Sequence, residues 1–301
     1  VILFAATIGV LCSAPGQTTG VSTFTDYLID SIGISRDQIS TAYMFGTIGS
    51  SFILTYAGTL YDKYGARWVG MAAALTLGFV LVLFSQSDRI IKAIVPQNSN
   101  IYVGVAVATC IVFFFMLRFS GQGVITMVSR NMLMKWFIAR RGLVNGISSV
   151  FVSMGFSIAP LSFDLLIEGT SWRWAWLLMA MGIGVGFFLF VFIFFRDNPE
   201  DCDQIPDGEK HGNKEYDVII KPFKQFTLKE ARSGLTFWLF VLPSAIYAMF
   251  ITGYVFHLVS VFGEAGIDKE QALSVFIPIS MISVVLAFVG GWISDRIKLQ
   301  Y

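Results

Sequence analysis

Eight stretches of this chain stay apolar for about 20 residues, the length of helix that crosses a hydrocarbon core ~30 Å thick. They run from Val1 to Leu28, Ile39 to Tyr61, Trp68 to Gln86, Ile101 to Met127, Gly142 to Leu166, Trp174 to Phe195, Phe237 to Val261 and Ala272 to Ile293. Backbone in lipid has no water to bond, and a helix satisfies its own polar groups within one segment. Composition points the same way. Charged residues make up 14% of the 301 residues, against about 25% in soluble domains. Charge cannot cover such a surface, so part of it must face lipid. The expected fold class is therefore an all-α, polytopic membrane protein. A net charge of +1 gives no sign of a nucleic-acid partner. Cys12, Cys110 and Cys202 are too scattered for a metal cluster or disulfide framework, and no cofactor is expected. The chain opens on valine and its last apolar stretch runs almost to the end, so it reads as a fragment.

Lysine and arginine divide unevenly between alternate loops. One set holds Lys63, Arg67, Arg130, Lys135, Arg140, Arg141, Arg196, Arg296, Lys298 and the basic residues from Lys210 to Arg232. The other holds Arg36, Arg89, Lys92, Arg173 and Lys269. The basic set marks the cytoplasmic side, which places the long central loop inside a cell, with the plasma membrane as the expected location. Three parts follow: a six-helix bundle over residues 1–195, a cytoplasmic loop over 196–235, and the first two helices of a second bundle over 236–301.

One motif occurs twice. Gly58-Thr59-Leu60-Tyr61-Asp62-Lys63 follows the second apolar stretch and Gly291-Trp292-Ile293-Ser294-Asp295-Arg296 the eighth, both reading Gly-x-aliphatic-x-Asp-basic. Copies six spans apart point to a duplicated bundle. Glycine permits close helix approach, and the aspartate can cap a neighbouring helix N-terminus for ~0.3–1 kcal/mol. The following basic residue can hold that aspartate. A clasp made in one conformation and broken in another would be a latch built from Gly58, Asp62, Lys63, Gly65 and Arg67 on one copy and Gly291, Asp295 and Arg296 on the other.

The Gly58 to Arg67 stretch resembles the signature loop between helices two and three of the major facilitator superfamily, and Gly291 to Arg296 resembles its weaker second copy. Trp136 to Gly146, Asn198-Pro199-Glu200-Asp201 with Pro206-Asp207-Gly208, and Thr227 to Ala231 with Phe237-Trp238 are similar to loops of the monocarboxylate porter and oxalate/formate antiporter branch. The resemblance implies a twelve-helix transporter, about four helices of which lie beyond this sequence. By the superfamily's symmetry, Asp295 should approach the start of the fifth span near Arg141 and Gly142, and Asp62 should lack its partner. The glycines after Arg118 stand one place earlier than in related helices. An acidic-glycine opening in helix one and an arginine in helix eight are missing, so the branch's substrate does not carry over directly.

Arg118 is the only charge deep in a span, a placement that costs ~2.5–3.5 kcal/mol on insertion scales; it is either an anion-attracting or conformational-coupling group at a central cavity or a structural arginine bonded to backbone carbonyls of a neighbouring helix. Gln122, Thr126 and Ser129 follow at helical spacing. Ser13-Ala14-Pro15-Gly16-Gln17 should break the first helix, because proline removes a hydrogen bond and glycine loosens the turn; Gln17 is then a candidate contact. Asn145, Ser149 and Ser153 share a face of the fifth span, suited to packing or pore lining. Tyr247, Tyr254 and His257 share a face of the seventh, and His257 is either a group that takes up a proton near neutrality or a neutral histidine hydrogen-bonded near the outer interface. Gly182, Gly184 and Gly186 suit helix packing. Gly155 to Ala159 faintly resembles a serine-nucleophile turn with His257 as a distant base, a weak enzyme reading. The expected function is alternating-access transport of a small organic anion, with a coupling proton or exchanged anion as co-substrate. The rival readings are transport of a neutral or cationic solute, drug efflux included, and a transporter-like sensor.

Overall fold

The structure, a computed structural model, describes residues 1–137, 140–202, 204 and 228–296. Its helices are α1 (Ile2–Cys12), α2 (Thr18–Ile32), α3 (Arg36–Ser85), α4 (Ser87–Ile94), α5 (Tyr102–Leu117), α6 (Thr126–Trp136), α7 (Arg141–Gly169), α8 (Trp172–Met181), α9 (Phe188–Phe194), α10 (Leu228–Ser233), α11 (Leu235–Glu264), α12 (Lys269–Ser274) and α13 (Phe276–Arg296). Joined where they run on, they give seven helices long and apolar enough to cross a membrane among the described residues. The sequence count is eight, and the difference lies in α3. At 50 residues and 1.5 Å per residue, a straight α3 would be ~75 Å long, more than twice the ~30 Å hydrocarbon core.

It is not straight. Gly65 interrupts it with φ 78° and ψ 173°, a combination open essentially to glycine alone. Packing on α5 shows that the two arms run in opposite senses. In the first arm Gly46 lies against Ile111, Phe114 and Phe115 while Leu54 lies against Gly123, so both chains advance together. In the second arm Leu77 lies at Gly121 and Phe84 on Phe113 and Phe114, so they advance oppositely. The chain turns back at Gly65. The first arm starts on a reciprocal cap: Ser35 Oγ accepts from the Gln38 amide at 3.2 Å and the Ser35 amide donates to Gln38 Oε1 at 2.9 Å, satisfying two orphan donors.

Three further interruptions shape the bundle. A single 3-10 turn, Ala14–Gly16, separates α1 from α2, with Gln17 extended at ψ 158°. Arg118–Ile125 joins α5 to α6 as a π-helix, and Gly182–Phe187 joins α8 to α9 in the same form. Of the three glycines in the second π segment, Gly184 packs on Gly78, whereas Gly182 and Gly186 meet open space. Helix packing therefore accounts for one of them.

The core gathers around Phe24, Phe84, Phe114 and Trp176, all nearly inaccessible. Trp176 lies tilted against Phe24 at 4.1 Å and stacks on Phe84 at 5.4 Å between ring centres. α11 packs on α2, and α12 and α13 pack on α7. Described members of the two basic sets lie at opposite ends. Lys135, Arg67 and Arg196 gather where Gly65 turns. At the other end Arg36 pairs with Asp26, Arg173 with Asp88, and Lys269 with Asp164.

Candidate functional site

Breaking a helix leaves carbonyls without amides, and something must answer them. At the α1–α2 break the answer is Arg118. It opens the π segment and is 5% exposed. Its Nη1 donates to the Gly16 carbonyl at 3.4 Å and to Thr18 Oγ1 at 3.3 Å. Close approach makes this reach possible: a Cβ on Gly16 would lie 2.8 Å from the Gly121 Cα and 2.9 Å from the Leu117 carbonyl. Both bonds are long beside the usual ~2.9–3.0 Å. Arg118 Nε has no partner, nor does the buried Gln122 Oε1. Among the described residues no carboxylate pairs with this guanidinium.

Around it lies a small polar ring. Tyr43, on the first arm of α3, shares a 2.8 Å hydrogen bond with Thr18 and presents its ring 5.3 Å from the Arg118 guanidinium carbon. Such a contact is worth ~0.5–2 kcal/mol. One helical turn earlier, Gln17 Nε2 donates to Ser13 Oγ at 2.9 Å and to Thr126 Oγ1 at 3.4 Å, and Thr126 donates to Ser13 at 3.2 Å. The other side of the break is apolar: Leu11, Cys12, Ala14, Pro15, Ile158, Phe163 and Ile183 line a cavity of about 390 Å³.

The structure thus brings Arg118, Gln122 and Gln17 to one place. It adds Tyr43, Thr18 and Thr126 as their partners. Tyr43 escapes sequence reading because it sits in a long apolar run with nothing to set it apart. The π segment shifts the stripe: Ser129 bonds the Ile125 carbonyl at 2.8 Å on its own helix and is fully buried. Other candidates lie elsewhere. Asn145 is exposed, while Val144, Ser148 and Val152 form the buried face of α7 and Ser148 bonds Thr7 at 2.9 Å. Tyr247 is exposed and Tyr254 packs beside Val255 and Leu258. His257 is half-buried, edge-on to Phe256 at 5.1 Å. Phe256 reaches the site, stacking on Tyr43 at 4.6 Å. Ser157 lines an apolar cavity with Met154, Ile158, Ile277, Met281 and Val284, and no hydrogen bond joins it to His257 among the described residues. No cluster among the described residues could hold a metal ion.

At the Gly65 end, capping chemistry is present but a different aspartate performs it. Asp197 Oδ1 accepts from the Ala66 amide at 3.0 Å and from Lys135 Nζ at 3.3 Å. Its carboxylate fills the space a Cβ on Gly65 would need, 2.5 Å away. Arg67 Nε donates to the Phe195 carbonyl at 3.1 Å, and Trp136 Nε1 to the Arg196 carbonyl at 3.2 Å. The signal that could have found it is an acid directly behind an apolar run at a basic end. Asp62 and Lys63 are exposed, and Lys63 lies over the Tyr64 ring at 5.1 Å. Asp62 makes no hydrogen bond or ion pair among the described residues, and the space beside Gly58 is open. α13 carries its backbone through Arg296 and packs on α7, but the side chains of Gly291, Asp295 and Arg296 lie outside the described residues.

At the opposite end Arg173 grips Asp88 through both carboxylate oxygens at 2.7 and 2.8 Å and bonds the Ser85 carbonyl at 2.9 Å. The Arg173 hydrogen bonds hold the Asp88 carboxyl below the usual carboxylate range, against the opposing effect of burial.

Comparison with known proteins adds to this geometry. An "MFS-type transporter 1" from Ophiocordyceps sp. (strain BCC 1869) is 26% identical over 152 residues, covering 46% of this chain and 30% of the relative. The chain therefore matches less than a third of that protein's length. The family model described as Major Facilitator Superfamily matches residues 6–300. With its apolar helices, its break at Gly65 and a match over nearly its whole length, the chain belongs to the Major Facilitator Superfamily, a family of multi-pass membrane transporters.

Proposed function

We propose that this protein carries a small organic anion, of the monocarboxylate or dicarboxylate kind, across a membrane by alternating access, with Arg118 as the group that attracts it. The observation that carries the reading is a buried guanidinium with no carboxylate beside it among the described residues, two long hydrogen bonds from one nitrogen, and a buried Nε–H left without a partner. An isolated charge in a low-dielectric interior is costly. A visiting carboxylate would neutralise it and take up the free Nε–H, while Gln122 Oε1 would accept from a hydroxyl or N–H on the same solute.

In this reading α3 crosses the membrane twice, giving eight crossings, and the end that holds Lys135, Arg67 and Arg196 faces the cytoplasm of a cell whose plasma membrane holds the protein. Two halves rock about the Arg118 level, and the Asp62 and Asp295 loops act as cytoplasmic latches. A proton or an exchanged anion is the coupled co-substrate. The test is counterflow in proteoliposomes with panels of organic anions, cations and neutral solutes. Saturable exchange of anions, abolished by Arg118→Gln, is the expected result. Exchange confined to cations or neutral solutes and indifferent to Arg118→Gln would favour efflux or facilitation instead. No exchange by any solute would favour a sensor.

A further inference from the structure

At the sparsely basic end, a carboxylate from the first bundle is joined to an ammonium from the helices that follow it. Asp164 of α7 is 7% exposed and is bonded by Lys269 of α12. Lys269 also lies over the ring of Tyr27 on α2, 5.0 Å from its centre. Beneath this pair Val255, Leu258, Ala272, Leu273 and Phe276 pack with Leu161 in an apolar layer. Beneath that again, Phe256 of α11 stacks on Tyr43, which stands over Arg118. Tyr27 lies nine residues past Thr18, the partner of Arg118. At 1.5 Å per residue the ion pair is thus about 13 Å outward of the guanidinium.

We propose that Asp164 and Lys269, with the Tyr43–Phe256 stack below, form a two-layer gate that closes the Arg118 site at this end. The proposal rests on the alternating-access reading and names where the moving parts separate. The chemistry suits a contact that opens. Loss of one partner leaves the other buried and uncompensated. Parting the two helices hands both charges to water, where an ion pair is worth ~0–1 kcal/mol. Asp26–Arg36 and Asp88–Arg173 at the same end both lie within the first bundle, so they are carried along unbroken when the bundles part. Phe256 and Tyr43 likewise come from different bundles, and no covalent or backbone link holds their stack.

The test uses the full chain in membranes, with Cys12, Cys110 and Cys202 replaced by serine and a reporter cysteine at Thr19, which follows the Arg118 partner Thr18 and whose hydroxyl is buried without a partner among the described residues. A membrane-impermeant maleimide is applied from the Lys269 side. Asp164→Asn and Lys269→Gln should each speed labelling about tenfold, a shift of about 1.4 kcal/mol between closed and open forms. The charge swap D164K/K269D should return labelling toward the parent rate, which a merely destabilised protein would not do. Phe256→Ala should speed labelling less, because the outer pair remains. A separate double variant, D164C/K269C without the reporter, should lose counterflow when bridged by a short thiosulfonate cross-linker and regain it on reduction. Labelling unchanged in both single variants, or a swap no slower than either, would overturn the gate. Gated labelling in a protein that exchanges no anion would leave the gate standing and remove the anion reading.

Discussion

The α1–α2 helix and α3 are both interrupted beside a glycine, yet the two interruptions do different work. At Gly65 the chain turns back at the end of the bundle, and a carboxylate answers the freed amide: Asp197 bonds Ala66, with Lys135 balancing its charge. There the freed amide and the carboxylate's charge are both answered, and the Tyr61 hydroxyl beside them is a buried group left without a partner among the described residues. At Gly16 the chain goes on in the same helix, and a cation answers the freed carbonyl through a long bond. There Arg118 Nε and Gln122 Oε1 are left over. A break whose freed backbone amide is capped by a charge-balanced carboxylate is a joint of the scaffold. One with a donor and an acceptor to spare, in the middle of a span, has capacity for a guest.

That contrast predicts which substitutions cost stability and which cost function. Gly65→Ala should be the most destabilising, by about 3 kcal/mol, since it forces a side chain into a glycine-only conformation and onto the Asp197 carboxylate. A loss of melting temperature in detergent reads it out. Gly16→Ala must push against backbone of the π segment and should cost about 2 kcal/mol; its signature is a collapse of counterflow larger than the loss of stability explains. Asp197→Ala should cost about 1 kcal/mol, the usual value of a lost helix cap, with counterflow per folded molecule kept. Should it abolish counterflow while leaving stability unchanged, the division between joint and site fails at that end. Gln17→Ala should change stability least, by about 0.5 kcal/mol, yet weaken solute binding measurably.

Acid sharpens the same division. The folded-state pKa of Asp88 lies below its unfolded value. Its contribution is therefore present above the unfolded value of about 3.9 and is lost as pH falls through the folded one. Melting temperature should drop in that window, and Asp88→Asn should remove part of the drop while lowering stability at neutral pH. A drop unchanged in Asp88→Asn would show that the Arg173 pair has no part in it.

Much of the scaffold was legible beforehand because lipid demands long apolar helices and leaves few alternatives. The break at Pro15-Gly16 was legible too, from the hydrogen bond proline cannot make. The Gly65 turn was marked by charges and glycine between two apolar runs. The site was only half visible. Arg118 stands out as a charge in a span, and Gln122 and Gln17 follow from it by spacing. Tyr43 does not, because an aromatic in an apolar run carries no periodic signal. The π segment was hidden as well: spacings of four suit both an α-helix and the wider π turn, so Ser129 was grouped with a stripe it leaves. Asp197 stands outside the repeated motif, whose spacing does not point to it.

The most direct test of the account is the stabilisation that a transported anion confers on the detergent-solubilised protein, compared among wild type, Arg118→Lys and Arg118→Gln. At a hundredfold excess over Kd the wild type should gain about 2.7 kcal/mol of stability. Lysine, with its charge kept but its planar fork lost, should retain part of that gain, and glutamine none. Equal anion-induced stabilisation of all three proteins would contradict the assignment of Arg118 as the anion's partner.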